Sequence, residues 1–170
     1  MLLDVSLHAC SCLYALGVDM KPETIAEIAT HPNVIGVKDA TGDIARVESL
    51  RRLCGKDFLL YSGEDDLGCE FVCVGGDGVI SVTANVAPKS MHNMLALSKA
   101  GAKAEAEAVN ETLMKLHKRL FLESNPIPVK RALMLMGKIG PGIRPPLCTM
   151  DDVHLVALKE ALGSAKVPMV

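Results

Sequence analysis

The hydrophobic residues of this chain follow two different spacings from residue 19 onward. Short apolar runs rich in β-branched residues alternate with longer segments in which apolar residues recur every three or four positions. The short runs are typical of strands buried on both faces, and the longer segments are typical of helices with one buried side. The predicted strands are residues 34–37, 58–61 and 79–82.

Proline, glycine and acidic residues mark the ends of the predicted helices. Pro22 suits the first position of a helix that Pro32 ends, and Asp43 can cap a second helix that closes at Gly55. The buried stripe predicted for this second helix includes Leu53. Further helices are predicted over residues 69–74, 88–99, 103–122, 126–137 and 149–163.

The spacing of the strands predicts a parallel sheet. The strands recur about every 20 to 25 residues with helices between them, so they form right-handed βα units rather than hairpins. A closed eight-stranded barrel typically needs about 250 residues, and this chain has 170. We therefore expect a sheet with open edges, or one that borrows strands from another chain.

Composition narrows the class of protein. A hydrophobic content of 49% supports a buried core, while a net charge of -2 and a pI near 6.2 lack the basic excess of a nucleic-acid-binding protein. No apolar stretch reaches the length of a membrane span, and the start lacks the pattern of a signal peptide. We expect a cytoplasmic protein whose partner is a small metabolite, not a nucleic acid or a membrane.

The cysteines and histidines do not favour a metal site. The chain has six cysteines and five histidines, but no C-x-x-C pair with histidines at matching spacing. Reduced cysteines that act as small hydrophobic residues are the ordinary case in a cytosolic domain. We predict that the chain binds no metal.

Lys38 is the strongest candidate for chemistry. It ends an apolar run, directly before the polar turn Asp39-Ala40-Thr41. A lysine amine attacks a carbonyl only after it has lost its proton, and burial in an apolar pocket disfavours the charged form. The end of a strand beside a shielded cavity is therefore a suitable place for a Schiff-base lysine.

In parallel α/β folds the ligand binds outside the carboxyl ends of the strands. The residues that follow the predicted strands offer one amine, several hydroxyls and backbone amides beside glycines, which together can bind a carboxylate next to a ketone. These residues are Lys38, Asp39, Thr41, Ser62, Gly63, Glu64, Asp65, Ser81, Thr83 and Asn85.

Four ordered motifs, at residues 36–43, 62–65, 75–88 and 125–130, resemble the dihydrodipicolinate synthase family. The resemblance runs from residue 17 to residue 163 and covers the C-terminal part of that enzyme. It implies an incomplete (β/α)8 TIM barrel, comprising the last three strands, followed by a C-terminal helical segment. Residues 1–100 would form the partial barrel, with residues 1–16 atypical, and residues 101–170 the helical segment.

The resemblance also implies a reaction. The family consists of class I aldolases, which are lyases that condense pyruvate with aspartate semialdehyde in lysine and diaminopimelate biosynthesis, without a cofactor and usually as homotetramers. By resemblance, Lys38 is the catalytic Schiff-base lysine, Ile80 contacts pyruvate through its backbone, and Gly63 lines the same pocket. The expected partners are the two substrates and either further copies of the chain or a complementing chain.

The chain also departs from the family pattern. In the family register, Cys10 stands in place of a proton-relaying tyrosine and Ala15 in place of an arginine that receives the aldehyde. Residues 1–16 do not resemble the family, and the early barrel strands are missing from the match. Since general acid–base help is worth about 10²- to 10⁴-fold, we expect a truncated chain that is impaired as a free polypeptide.

Two alternatives stay open at this stage. The first is another pyruvate-dependent aldolase of the same superfamily, similar to N-acetylneuraminate lyase, which would accept a different aldehyde. The second is a non-catalytic half-barrel that assembles with a partner, because exposed parallel edges favour association.

Overall fold

The computed structural model describes residues 7–11, for which it gives the backbone alone, and residues 18–170. In the N-terminal half, four strands alternate with three helices: β1 (Leu7–Ser11), α1 (Pro22–Ile28), β2 (Val34–Asp39), α2 (Arg46–Cys54), β3 (Leu59–Ser62), α3 (Gly68–Cys73) and β4 (Gly78–Val79). The rest is helical, with α4 (Pro88–Lys99), α5 (Lys103–Arg119), α6 (Ile127–Leu135) and α7 (Leu155–Ser164), and with short 3-10 turns at Thr83–Asn85 and Asp152–His154.

The four strands form one parallel sheet in the order β1-β2-β3-β4. The predicted parallel βα units are confirmed, and β1 adds a strand within the segment that did not resemble the family. The register places Lys38 of β2 beside Tyr61 of β3 and, on its other side, beside Cys10 of β1. Ala15 lies outside the described residues, as does the side chain of Cys10.

The core of the sheet region lies between the strands and helices α1 to α3. Successive strand residues face opposite sides of a sheet, so Val37 and Leu60 turn toward the helices and are fully buried. Lys38 and Tyr61 face the other side and are half-buried. The core cluster consists of Ile25, Val37, Val47, Leu50, Phe58, Leu60 and Phe71.

The chain divides into two compact units. The first contains the described residues up to Ser81 together with residues 98–101, and the second contains residues 82–97 and 102–170. In the second unit, α5 packs against α7 through fully buried leucines. These leucines are Leu113, Leu116, Leu158 and Leu162. The division predicted near residue 100 stays a prediction. Across the described residues, no helix is long and apolar enough to cross a membrane.

Some local predictions were wrong. The third strand was predicted over residues 79–82, but β4 ends at Val79, where the chain leaves the sheet toward the 3-10 turn that begins at Thr83. Leu53 was predicted to lie in the buried stripe of α2, but it is exposed, because α2 buries Val47 and Leu50 one helical turn apart while Leu53 falls at the edge of that face.

Candidate functional site

Lys38 is the fifth residue of β2 and lies close to the carboxyl edge of the sheet. Its strand neighbours Val37 and Asp39 are buried on the helix side, so the lysine side chain projects from the opposite face, where it is half-buried. The two faces of β2 therefore differ in role: one packs in the core, and the other carries the lysine amine.

Gly63 lies against the side chain of Lys38. A Cβ atom built on Gly63 would stand 2.9 Å from the Cε of Lys38 and 2.6 Å from the Cβ of Ala40, both too close for real atoms. The N–H of Gly63 donates to the carbonyl oxygen of Asp39 at 2.6 Å, which ties the end of β3 to the end of β2. The position therefore accommodates only glycine without displacing the lysine.

Ile80 follows β4 at the same edge of the sheet. Its N–H donates to the carbonyl oxygen of Ser62 at 2.9 Å, so the chain beyond β4 is held beside the end of β3. Because this bond occupies the N–H, a ligand contact through the backbone of Ile80 would use its carbonyl oxygen. Lys38, Gly63 and Ile80 thus lie at the carboxyl ends of three consecutive strands. This position was predicted for Lys38 and Gly63, whereas Ile80 was predicted inside a strand and follows β4 only because that strand ends at Val79.

Asp39 is a buried anchor of this edge. One carboxylate oxygen accepts hydrogen bonds from the N–H and the hydroxyl of Thr41, at 2.9 and 2.6 Å. The other accepts from the Nε of Arg46 at 2.8 Å, and Arg46 also contacts the carboxylate of Asp19 at 2.9 Å and the carbonyl oxygen of Met20 at 2.6 Å. Asp39 and Thr41, both candidates for ligand binding from the sequence, therefore stabilise the turn after Lys38.

Glu64 follows Gly63 and contributes an acidic group to the same edge. Burial raises the pKa of this carboxyl group above its ordinary value, the neighbouring Asp66 and Asp65 raise it further, and the charge of Lys38 opposes the rise. The peptide N–H of Glu64 donates to the hydroxyl of Ser62 at 3.0 Å. Sequence reasoning listed Glu64 only among the residues that follow the strands, and it had no signal that this carboxyl group would be partly desolvated beside a lysine.

Tyr61 was missed by the sequence analysis. It pairs with Lys38 in the register of β2 and β3, and its aromatic ring lies beside Gly78 of β4. Because successive side chains of a strand point to opposite faces, the predicted strand over residues 58–61 could have indicated that Tyr61 faces the same side as the lysine. Pattern reasoning counted only residues after each strand, so a residue within the strand escaped notice.

Thr83 occupies a different environment from the one expected. It is fully buried in the second unit, where its hydroxyl lies 2.8 Å from the Nδ1 of His117. The Nε2 of His117 lies 3.3 Å from the amide oxygen of Asn110, which completes a chain of three polar side chains inside the helical unit. The hydroxyl predicted as a ligand donor is thus engaged within the second unit.

Among the described residues, no three histidine, cysteine, aspartate or glutamate side chains cluster closely enough to hold a metal ion. The groups at the carboxyl edge are the amine of Lys38, the buried carboxylate of Asp39 and the partly desolvated carboxyl group of Glu64, with hydroxyls and backbone amides that the turns engage among themselves. Of these groups, the amine can form an imine with a ketone.

Residues 13–165 match the model of the dihydrodipicolinate synthetase family. The 4-hydroxy-tetrahydrodipicolinate synthase of Pseudomonas aeruginosa is 54% identical over 144 residues, which are 85% of this chain and 49% of that protein. The synthase of Thioalkalivibrio sulfidiphilus is 48% identical over 152 residues, covering 89% of this chain and 52% of that protein. The chain therefore spans about half the length of the curated relatives it matches.

Solved structures give the same result at the level of the fold. The dihydrodipicolinate synthase of Acinetobacter baumannii, solved in complex with pyruvate, superposes with a TM-score of 0.94 at 39% identity over 98% of this chain and 57% of that chain. The enzyme of Thermotoga maritima superposes with a TM-score of 0.91 at 38% identity over 96% of this chain and 57% of that chain. The fold is thus part of a (β/α)8 barrel followed by helices, as expected from the sequence.

Proposed function

The chain belongs to the dihydrodipicolinate synthetase family, and on that premise we propose that Lys38 forms an imine with pyruvate. The amine nitrogen attacks the ketone carbon, the C–N bond forms, and the ketone oxygen leaves as water. Loss of a proton from the methyl group then gives an enamine. The observation that carries this proposal is the position of Lys38 at the carboxyl end of β2, where its side chain packs against Gly63 and the missing Cβ of that glycine leaves room for the lysine Cε.

Pyruvate would bind at the carboxyl edge through groups that the strands already hold in position. The N–H groups of Gly63 and Ile80 and the hydroxyl of Thr41 are engaged within the sheet unit, so the pyruvate carboxylate would need hydrogen-bond donors other than these. The carbonyl oxygen of Ile80 would contact the bound molecule, since the N–H of that residue is engaged with Ser62. The pyruvate-bound structure of the Acinetobacter baumannii relative supports this choice of substrate.

The enamine carbon would next attack the aldehyde of aspartate semialdehyde, the condensation of lysine and diaminopimelate biosynthesis. We expect this step to be slower than in the longer relatives, because Cys10 stands where a tyrosine would relay protons, at a cost of about 10²- to 10⁴-fold. The family match favours aspartate semialdehyde over the aldehydes of N-acetylneuraminate lyase. Supplying each aldehyde to the pyruvate-loaded chain and measuring the product decides between them.

The chain would act as a homo-oligomer or with a complementing chain in the cytoplasm. Within the described sheet, β1 and β4 each pair with one neighbouring strand, so each offers a parallel edge to another chain. Multi-angle light scattering measures the assembly directly. A purely monomeric chain that melts cooperatively would contradict this part of the proposal.

Trapping with borohydride tests the imine. The protein is incubated with pyruvate, reduced, digested and mapped by mass spectrometry, and we expect the reduced adduct on Lys38. Lys56 is an exposed lysine in the same unit and serves as the internal reference for non-specific labelling. The variant Lys38→Arg keeps a positive charge and should carry no adduct. An unmodified Lys38 in folded protein would refute the proposal.

Replacing Gly63 by alanine tests the geometry. In Gly63→Ala the new methyl group must displace the side chain of Lys38 or Ala40, so we expect trapping to fall about 10- to 100-fold and stability to fall by about 1–3 kcal/mol. The matched control is Gly163→Ala, because a Cβ at Gly163 in α7 meets nothing within 4 Å. Equal trapping in both variants would show that Gly63 does not shape the site.

A further inference from the structure

A separate cleft lies entirely within the helical unit. It is an open cleft between the side of α6 and the loop of residues 140–143. Its polar lining consists of Lys130, Arg131 and Thr149, together with the backbone of Gly140 and Gly142. Lys130 is the last residue of the motif at residues 125–130, to which the proposed reaction assigns no task.

The charge of this cleft is positive and incompletely balanced. Lys130 and Arg131 both line it, and its lining contains no acidic residue. Arg131 donates from Nη2 to the carboxylate of Asp152 at 2.9 Å, but the side chain of Asp152 is 80% exposed, so water screens that pair. The Nε of Arg131 is buried and has no hydrogen-bond partner among the described residues, while the side chain as a whole is 20% exposed. A buried Nε on a guanidinium with one screened charge partner favours a further anion nearby.

The available donors discriminate between anions. A carboxylate binds arginine best through two parallel hydrogen bonds, but one end of the Arg131 guanidinium already contacts Asp152 and its Nη1 lies 3.8 Å from the sulfur of Met134. The ammonium group of lysine binds phosphate as a point charge and needs no planar partner. The exposed glycines Gly140 and Gly142, which line the cleft, add backbone N–H groups.

We propose that the cleft lined by Lys130, Arg131, Thr149 and the loop 140–143 binds a phosphate group. The same chemistry fits free phosphate and the phosphate of a phosphorylated metabolite. Because every lining residue belongs to the helical unit, the site is separate from Lys38, and its occupancy can be measured without turnover.

Amide chemical shifts of the full ¹⁵N-labelled chain test the proposal in a phosphate-free buffer. On titration with inorganic phosphate, we expect saturable shifts at Gly140 and Gly142. Lys130→Gln should weaken the affinity about tenfold or more, because it removes a charged hydrogen-bond donor. The matched control is Lys138→Gln, which removes an exposed lysine of the same unit outside the cleft lining and should change the affinity less than about twofold.

Thr149→Val is a second variant that keeps every charge and leaves Arg131 in place. It should weaken phosphate binding by a few-fold through the lost hydroxyl. Titration with glycerol phosphate distinguishes the sources: tighter binding than inorganic phosphate indicates a phosphorylated metabolite, and weaker binding indicates free phosphate. Shifts that do not saturate, or equal losses in Lys130→Gln and Lys138→Gln, would overturn the site. Pyruvate trapping on Lys38 should be the same in these variants as in the parent chain, whichever result the phosphate titration gives.

Discussion

Two arginine–aspartate pairs hold opposite edges of the same sheet. At the carboxyl edge, Arg46 contacts Asp39 at 2.8 Å, and both side chains are at most 10% exposed. At the amino edge, Arg51 contacts Asp77 at 2.5 Å, and these side chains are 24% and 29% exposed. The two nitrogen–oxygen distances are similar, so the pairs differ mainly in how buried they are and in which other groups hydrogen-bond to them.

The other hydrogen-bond partners of the two arginine–aspartate pairs show that the pairs stabilise different parts of the sheet unit. Arg51 also donates to the carbonyl oxygens of Phe58 and Gly75, and Asp77 accepts from the N–H of Leu60, so this pair fastens loops to the start of β3 and β4. The pair of Asp39 and Arg46 instead lies directly after Lys38, the lysine proposed to form the imine. A buried pair is costly to break because the remaining charge stays desolvated, whereas a screened pair costs less.

Asp39→Ala should have the largest effect. It leaves the buried guanidinium of Arg46 with only the partly exposed Asp19 as a charged partner, so we expect a loss of about 3–5 kcal/mol in the free energy of unfolding. Urea denaturation measures it. The matched control is Asp43→Ala, an exposed aspartate that accepts one hydrogen bond from the N–H of Ala45 and should cost about 1 kcal/mol.

Equal losses of stability in Asp39→Ala and Asp43→Ala would show that burial of the Asp39–Arg46 pair adds nothing to its contribution. Pyruvate trapping on Lys38 gives a second measurement. It should fall in Asp39→Ala, because the turn that follows the lysine loses its anchor, and it should remain at the parent level in Asp43→Ala.

Arg51→Gln should have an intermediate effect. It removes the charge that bridges Asp77 and three carbonyl oxygens, and we expect a loss of about 1–3 kcal/mol, since the group is partly exposed. Trapping on Lys38 should be unchanged in protein that remains folded, because the pair lies at the far edge of the sheet. Trapping reduced as strongly as in Asp39→Ala would show that the two edges are not independent.

Glu64→Gln should have the smallest effect, and one that depends on pH. Burial, followed by Asp66 and Asp65, raises the pKa of Glu64 in the folded protein, while Lys38 opposes and Asp39 adds to the rise. The folded state then binds more protons than the unfolded state, so ionisation of Glu64 lowers stability as the pH rises through the folded pKa.

The variant should therefore be slightly more stable than the parent at neutral pH and equal to it below the ordinary pKa of glutamate. Thermal melting across that range measures the difference. Glu70→Gln, at an exposed glutamate of α3, is the control. A gain that is the same at every pH would contradict this assignment to Glu64.

Much of the fold could be predicted because it depends on local signals. The β-branched run before Lys38 and the prolines and glycines at helix ends indicated βα units, and α4 has the bounds expected from Pro88 and Lys99. The position of Lys38 and Gly63 at one edge followed from the parallel arrangement, whereas Ile80 joins them because β4 ends earlier than predicted. The roles of Lys38, Gly63 and Ile80 were inferred from the family resemblance, and these roles stay predictions.

The remaining features depend on contacts between distant residues. Nothing near Arg46 in the sequence indicates that Asp19, 27 residues earlier, shares its charge. The close packing of Gly63 on Lys38 depends on the exact spacing of β2 and β3, and the partner of Thr83 lies 34 residues further along the chain. The length of β4 was mispredicted because the mostly apolar residues 79–82 suit either a strand or a turn. Only tertiary contacts decide where the strand pairing ends.

The alternation of β2 has an evolutionary consequence. Lys38 and its buried neighbour Asp39 lie on opposite faces of one strand, so mutations that reshape the amine's surroundings need not disturb the ionic anchor behind it. Under the proposed function, selection for a new aldehyde acceptor can therefore act on residues that share the lysine's face, such as Tyr61, while the protein keeps its capacity to fold.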